Sequence, residues 1–299
     1  MGQVRTILAA TDLSAPARHA AARALKLARE ANAQVSLIHV MNQGALNDLR
    51  ALLGGQTEPI ERQLVERARE ELVRLAASVG EPLGLAPGIH LAAGTVLAEI
   101  LDHADAIDAD LLVLGARGES FMRHLLLGST AERLLRKTRR PILVVKQTPI
   151  DAYRRILVPV DFSPWSRAGL ELALTVAPRA EIVLFHAFDV PFEGRLRLAG
   201  VEEDTIGQYR IAAKDNASRR LRQLGAEVGL DPFKTQYCVL KGDASRRVIE
   251  QEQEQDCDLI VLGKHGRNII EETLLGSVTK HVLAESNCDV LISARSSAA

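Results

Sequence analysis

The sequence is poor in aromatic residues and in cysteine. Aromatic residues make up 3% of its 299 residues, against 47% hydrophobic residues overall, so its cores must be built from aliphatic side chains. The three cysteines, Cys238, Cys257 and Cys288, lack the paired spacing of a disulfide framework or a structural zinc site. We expect them to be small buried side chains in a reducing compartment.

An excess of charge of one sign and long apolar runs are also missing. The formal net charge is −1, which does not indicate the basic face that nucleic-acid binding requires. No apolar run reaches the roughly 18 residues of a membrane-spanning helix. The N-terminal stretch MGQVRTILAA lacks the basic and apolar regions of a signal peptide. We therefore expect a cytoplasmic protein, with neither nucleic acid nor a membrane as partner.

Common catalytic signatures are absent from the sequence as well. It has no Gly-Lys-Ser/Thr phosphate loop, no Gly-x-Ser-x-Gly elbow and no evident pair of carboxylates or cluster of metal ligands. No residue is placed by its sequence context to activate a water molecule. We expect no catalytic residue and no metal site built by the protein, so the chain is predicted not to be an enzyme.

One segment occurs twice, as DLLVLGARGESFMRHLLLGSTAERLL and as DLIVLGKHGRNIIEETLLGSVTKHVL. Each copy has an apolar run, then Gly-x-x-Gly, nine residues, Gly-Ser and a helical pattern. Its glycines recur at an offset of 148 residues, from Gly115 to Gly263 and from Gly128 to Gly276. The constant offset indicates that a larger unit has been duplicated.

Landmarks outside this segment agree with a duplication. Asp12 and Asp161 follow matching apolar runs at an offset of 149, and His39 and His186 recur at an offset of 147. We expect two domains, residues 1–147 and 153–299, joined by a short linker. Apart from a less regular stretch between the second strand and the long helix that starts near Glu58, each half reads as strands alternating with helices.

Five strands alternating with helices predict an α/β fold, with two repeated five-stranded parallel-sheet domains and helices on both sheet faces. In such sheets a ligand binds outside the carboxyl ends of the strands, where the strand order reverses. Asp12 and Asp161 are predicted to lie at those ends. Each could contact a ligand there or close a turn, and the two histidines are expected to be hydrogen-bonded core residues.

The repeated glycine loop has the parts of a phosphate site. Gly115 and Gly118 allow close approach of the backbone to a ligand, and the free amides of a helix starting near Ser129 or Ser277 favour an anion. Successive loop amides can form a nest for phosphate oxygens. The first loop adds Arg117, and the second adds Lys264, His265 and Arg267. The alternative is a tight turn and a helix cap without a ligand.

Taken together, Gly-x-x-Gly-x9-Gly-Ser after a buried strand and the early Asp-Leu/Phe-Ser resemble the universal stress protein family in its ATP-binding branch. The resemblance covers nearly the whole chain as two fused domains. It implies a Rossmann-like fold of the adenine-nucleotide alpha-hydrolase type, with ATP in each half and Mg²⁺ or Mn²⁺ carried on the phosphates. The residues assigned to the sites are Ala10, Asp12, Val40, Gly115, Arg117, Gly118, Gly128, Ser129 and Thr130, and then Pro159, Asp161, Ala187, Gly263, His265, Gly266, Gly276, Ser277 and Val278.

The two halves differ where the resemblance places ligand contacts. Ala187 replaces the commoner Val, Val278 lacks the hydroxyl of Thr130, and Ala10 stands where the other half has Pro159. The two sites could therefore be unequal.

Three functions remain open from the sequence. The leading hypothesis is a stress-response protein that binds ATP, or a related adenine nucleotide, in each domain as a regulatory ligand. The others are a non-catalytic interaction scaffold with empty sites or an apolar ligand, and a slow ATPase or nucleotide transferase. The apolar fifth strands PILVVK and CDVLIS could lie at sheet edges, which invite pairing. The resemblance implies that these strands mediate dimer contacts, so the halves are expected to pack as an intrachain pseudo-dimer. A homodimer and an unknown protein partner are further expectations.

Overall fold

Two compact units make up the chain. The computed structural model describes residues 3–53, 58–116, 128–266 and 275–294. The first unit is the chain up to Ala152 together with Asp289–Ala294, and the second is Tyr153–Cys288. The last strand of the second sequence repeat thus belongs to the first unit.

Strands and helices alternate in both repeats. The first repeat contains β1 Thr6–Ala10, α1 Ala15–Ala31, β2 Gln34–Asn42, α2 Gln43–Leu53, α3 Glu58–Gly80, β3 Gly88–Gly94, α4 Val96–Ala106, β4 Leu111–Gly115, α5 Ser129–Lys137 and β5 Ile142–Val145. The second contains β6 Arg155–Pro159, α6 Pro164–Val176, β7 Glu181–Phe188, α7 Glu193–Leu198, α8 Glu203–Val228, β8 Thr235–Lys241, α9 Ala244–Glu254, β9 Leu259–Gly263, α10 Ser277–Glu285 and β10 Asp289–Ser293.

In the first unit, β1 to β5 form a parallel sheet in the order β3-β2-β1-β4-β5. Strand β10 pairs antiparallel with β5, with Val290 opposite Val144. Both strands are buried along their whole length. The sheet of this unit is therefore mixed, with five parallel strands and one antiparallel strand.

A buried ion pair fixes the start of β10 in the first unit. Arg23 on α1 is 5% exposed and Asp289 is 0% exposed, and Arg23 Nε lies 3.3 Å from Asp289 Oδ2. The other carboxylate oxygen of Asp289 accepts the backbone N–H groups of Lys146 and Gln147 at 2.8 and 3.1 Å. A buried charge needs partners of this kind, so these contacts account for an aspartate in a fully buried strand.

The sheet of the second unit is parallel throughout, in the order β8-β7-β6-β9. Helix α6 packs on β6 and β9, and α8 packs on β7 and β8. In the first unit, α1 packs on β1 and β4 while α3 and α4 pack on β2 and β3. The predicted α/β class, with helices on both sheet faces and two repeated domains, is confirmed.

Helix α1 illustrates how local sequence sets these elements. Ser14 is its N-cap and accepts the N–H of Ala17, and a proline stands in the first turn, where its missing N–H costs nothing. Asn32 ends the helix in a left-handed conformation, with φ 53°. The buried face of α1 is rich in alanine, which lets the helix approach the sheet closely.

The prediction of an irregular stretch after β2 is wrong for residues 43–53, which form α2. Gly44 suggested a break, but it lies in the first helical turn, where glycine does little harm. There its N–H donates to Asn42 Oδ1 at 2.9 Å. Among the described residues, no helix is long and apolar enough to span a membrane.

Candidate functional site

In both units the strand order reverses beside the first strand of the repeat. In the first unit β1 lies between β2 and β4, and in the second β6 lies between β7 and β9. Crevices for ligands open at the carboxyl ends of parallel strands at such points. The turn after β1 and the residue ending β4, Gly115, meet at that edge, as do their counterparts after β6 and at Gly263.

The turn after β1 is held by its own polar groups. Asp12 Oδ1 accepts the N–H of Ser14 at 3.1 Å and its Oγ–H at 2.5 Å. Leu13, between them, has φ 67°. His39 Nδ1 lies 2.8 Å from the carbonyl oxygen of Thr11, which ties β2 to this turn. One oxygen of Asp12 thus closes the turn, as one of the two predicted roles requires.

The turn after β6 has the same shape but a different serine. Phe162 has φ 60°, and Asp161 Oδ1 accepts the N–H of Ser163 at 2.9 Å. The hydroxyl that donates to Asp161 Oδ1 comes from Ser166, at 2.6 Å. His186 Nδ1 lies 2.6 Å from the carbonyl oxygen of Val160. Both histidines are hydrogen-bonded, as predicted, but each is half-buried, so the prediction that they are core residues is wrong in that respect.

In each unit one backbone hydrogen bond joins the start of the glycine loop to its end. The N–H of Gly128 donates to the carbonyl oxygen of Ala116 at 2.9 Å, and the N–H of Gly276 donates to that of Lys264 at 3.1 Å. Residues 117–127 and 267–274 lie outside the described residues, and with them the predicted contacts Arg117, Gly118 and Arg267. The loops therefore start at a strand end and return to it before a helix.

Helices α5 and α10 begin directly after these glycines. Gly128 and Gly276 are their N-caps, and neither helix has a side-chain cap. Ser129 and Ser277 are the first helical residues and are exposed. Thr130 and Val278 follow them and are half-buried. With no capping side chain among the described residues, first-turn amides of this kind can bind an anion from outside the helix.

In the second unit two glycines permit close packing around the loop. A Cβ at Gly266 would lie 3.0 Å from Asp161 Oδ2, and a Cβ at Gly263 would lie 2.7 Å from Trp165 Cβ. Asp161 and the loop after β9 therefore line the same gap. His265 is buried, and its ring meets that of Trp165 edge-on at 4.7 Å between centroids. Lys264 is buried beside it.

The remaining predicted contacts lie at the same sheet edges. Ala10 and Pro159 end β1 and β6, and Val40 and Ala187 lie near the ends of β2 and β7. The structure thus brings the described members of each predicted set to one edge of their sheet. Whether they contact a ligand stays a prediction.

Sequence reasoning missed two residues of opposite charge that stand at equivalent positions in the two repeats. Glu99 on α4 and Arg247 on α9 stand at the repeat offset of 148 residues. Glu99 lies over Gly94, which ends β3, and Arg247 lies over Gly242, which follows β8. A Cβ on either glycine would clash with the side chain above it. Side chains of opposite charge therefore lie beside the carboxyl ends of the third strands, where Arg247 is also paired with Glu250 at 2.7 Å. The signal was available by comparing the repeats position by position.

A salt-bridge cluster lies at the ends of β7 and β8. Glu193, at the start of α7, contacts Arg210 of α8 and Lys241 of β8. These contacts, that of Arg210 first, lower the pKa of Glu193 to about 2. A cavity of about 550 Å³ opens beside them and is lined by residues that include Asp189, Phe192 and Arg195. The cluster fixes the short helix that forms one wall of this cavity.

These observations define a class of protein. It is a tandem α/β protein in which each unit has a glycine loop that returns to a helix N-terminus at the strand-order reversal. The model of the universal stress protein family matches residues 3–146 and again 152–293, and the chain belongs to that family as a tandem two-domain member.

The chain is similar both to proteins of about its own length and to proteins of about half its length. A universal stress protein of Mycolicibacterium smegmatis is 25% identical over 96% of each chain. Universal stress protein MJ0531 of Methanocaldococcus jannaschii is 32% identical over 48% of this chain and 82% of its own. The crystal structure of a universal stress protein from Archaeoglobus fulgidus superposes with a TM-score of 0.66 at 21% identity, covering 97% of this chain and 98% of its own. That last similarity concerns the fold.

Proposed function

We propose that each unit binds ATP or a related adenine nucleotide as a regulatory ligand in a stress response. Nucleotide binding is a property at the level of the family, and ATP in each of these two units is the specific proposal. The observation that carries it is the glycine loop. In both units it leaves a strand end, returns to it through one backbone hydrogen bond, and leads into a helix without a side-chain cap.

The spacing of the strands suits a nucleotide. Ala187, proposed to meet the base, lies one residue before the end of β7, a strand two positions away from β9, whose loop is proposed to hold the phosphates. Neighbouring strands lie about 4.8 Å apart, so these two ends are separated by roughly 10 Å. Asp161 lies between them, where the ribose would lie. Val40, Asp12 and Gly115 have the same order in the first unit.

The proposed phosphate contacts are backbone amides at the starts of α5 and α10 together with the loop glycines. Mg²⁺ or Mn²⁺ would enter with the phosphates, which suits the reluctance of Mg²⁺ to give up its water ligands. In residues 3–53, 58–116, 128–266 and 275–294, no three His, Cys, Asp or Glu side chains are grouped to hold a metal ion. We accordingly assign the ion to the nucleotide and not to a protein cage.

We propose binding without turnover. The turn aspartate of each site has an Oδ1 that already accepts two hydrogen bonds. A carboxylate engaged in this way is a poor general base. The function would come from stabilising one state of the protein by mass action.

Calorimetric titration of the apo protein with MgATP tests the proposal. We expect binding with a stoichiometry of up to two, weakened at one site by Gly266→Ala, whose Cβ would lie 3.0 Å from Asp161 Oδ2. Gly207→Ala is the matched control, since a Cβ on Gly207 of α8 meets no atom within 4 Å. Titration with cAMP, with which one universal stress protein has been crystallised, compares a cyclic nucleotide under the same conditions.

The outcomes separate the three hypotheses. No heat of binding from confirmed apo protein would refute nucleotide binding and favour the interaction scaffold. Steady release of inorganic phosphate that Gly266→Ala abolishes would favour a slow ATPase.

A further inference from the structure

The turn after β6 contains a buried hydroxyl that the fold does not use. Ser163 is 8% exposed, and among the described residues none forms a hydrogen bond with its Oγ. It is the N-cap of α6 in position, but its side chain makes no cap hydrogen bond. Buried polar atoms in native proteins nearly always have a partner, so this exception calls for a physical explanation.

The matching serine of the first unit is fully engaged. Ser14 Oγ donates to Asp12 Oδ1 at 2.5 Å and accepts the N–H of Ala17 at 3.4 Å. Its hydroxyl proton is therefore committed within the turn. The two units have the same Asp-x-Ser pattern but use the serine differently.

A single substitution between the repeats accounts for the difference. Ser166 of the second unit stands at the position of Ala17 in the first, at the offset of 149 that relates Asp161 to Asp12. Ser166 Oγ donates to Asp161 Oδ1 at 2.6 Å and accepts the N–H of Asp161 at 2.9 Å. It takes over the contact that Ser14 makes in the first unit, which releases the hydroxyl of Ser163.

The hydroxyl of Ser163 lies at the sheet edge where the nucleotide is proposed to bind. Ser163 follows the end of β6 at the strand-order reversal, and its N–H donates to Asp161 Oδ1 at 2.9 Å. The other oxygen of Asp161 lies 3.0 Å from the position of a Cβ at Gly266, in the glycine loop. Ser163, Asp161 and Gly266 therefore share the gap between the ends of β6 and β9.

We propose that Ser163 is a specificity-determining contact of the second site. Its hydroxyl donates a hydrogen bond to an oxygen of the sugar–phosphate part of a bound adenine nucleotide. The first site lacks this contact, because the proton of Ser14 is committed to Asp12. The inference rests on the proposed function and assigns to one residue a difference between the two sites.

A fluorescence titration can follow the second site by itself. Trp165 is the only tryptophan of the chain, and it lies beside the glycine loop of the second unit. We expect Ser163→Ala to weaken MgATP binding, measured by Trp165 emission, by about threefold to tenfold, the usual effect of one hydrogen bond. The melting temperature of the apo variant should equal or exceed that of the parent protein, because the change removes an unpaired polar atom.

Ser14→Ala is the matched control, with the opposite pair of results. It should lower the melting temperature, since it removes a helix cap, and leave the affinity reported by Trp165 unchanged. Equal MgATP affinity of Ser163→Ala and the parent, or a loss of stability as large as that of Ser14→Ala, would overturn the inference. An absence of any response in the parent protein would instead count against nucleotide binding at the second site itself.

Discussion

Asp289→Asn tests how strongly the ion pair with Arg23 holds β10 in the first unit. The amide keeps an oxygen that can accept the two N–H groups of Lys146 and Gln147, at 2.8 and 3.1 Å in the parent, so only the charge is removed. What remains is a guanidinium group that is 5% exposed, without its carboxylate 3.3 Å away. Removing one partner of a buried pair costs about 3–5 kcal/mol, whereas an exposed pair contributes at most about 1 kcal/mol.

The two units can be followed separately in a urea titration. Trp165 and all three tyrosines, Tyr153, Tyr209 and Tyr237, belong to the second unit, so their fluorescence reports that unit alone. Circular dichroism reports helices of both. We expect Asp289→Asn to move part of the dichroism transition to a lower urea concentration than the fluorescence transition. Amide hydrogen exchange in Ile142–Val145 should also become faster.

A second substitution checks the cause of this loss. Replacing Arg23 by Met in the Asp289→Asn background removes the buried charge that has lost its carboxylate and should recover part of the stability. A loss below about 1 kcal/mol in Asp289→Asn, or no recovery in the double variant, would show that the pair does not hold β10.

Two further predictions concern charge in the first unit and at the rims of the sites. Burial, and then the stacked ring of His90, lower the pKa of His103 below its ordinary 6.5, so the unfolded chain binds the proton more readily and stability should fall as pH drops below about 6.5. His103→Gln should reduce the fall in melting temperature between about pH 7.5 and pH 5.5, and an unchanged pH profile would contradict the argument. Glu99→Gln should tighten MgATP binding at the first site by about twofold to fivefold at low salt, because it removes a negative charge from the sheet edge at which the anionic ligand is proposed to bind, and the gain should vanish at high salt. Arg247→Gln should have the opposite effect at the second site, and calorimetry that shows no effect of either change would place both side chains outside the sites.

Most of the fold could be predicted from the sequence, because short apolar runs and regular breaks specify strands and helices locally. The apolar run EIVLFHAF, for example, forms β7 from its first residue to its last. Helix α2 was missed because glycine is a poor guide within a first helical turn. Pairing between the two fifth strands was expected from their apolar sequences, and β10 does pair with β5. The membership of β10 in the first unit was not predicted, since it depends on contacts with residues far away in the chain.

The candidate site was predictable as a set of residues but not as a set of contacts. The Asp-x-Ser pattern in both repeats suggested the same turn twice. The exchange of Ser163 for Ser166 as partner of Asp161 depends on side-chain geometry, although Ser166 facing Ala17 in an alignment of the repeats was visible. The buried packing of His265 against Trp165 likewise required the tertiary structure.

The membership of β10 in the first unit has a consequence for how the two repeats can change. Recombination or truncation at the repeat boundary, near residues 148–152, would separate Ile142–Val145 from the strand that pairs with it and leave Arg23 buried without its carboxylate. A domain transplanted at that boundary would be incomplete although its sequence repeat was intact. Substitutions in Asp289–Ser293 would be selected for the stability of the first unit, although the second repeat encodes them. The two repeats can therefore diverge in their ligand sites, but the first unit folds completely only when the second repeat is part of the same chain.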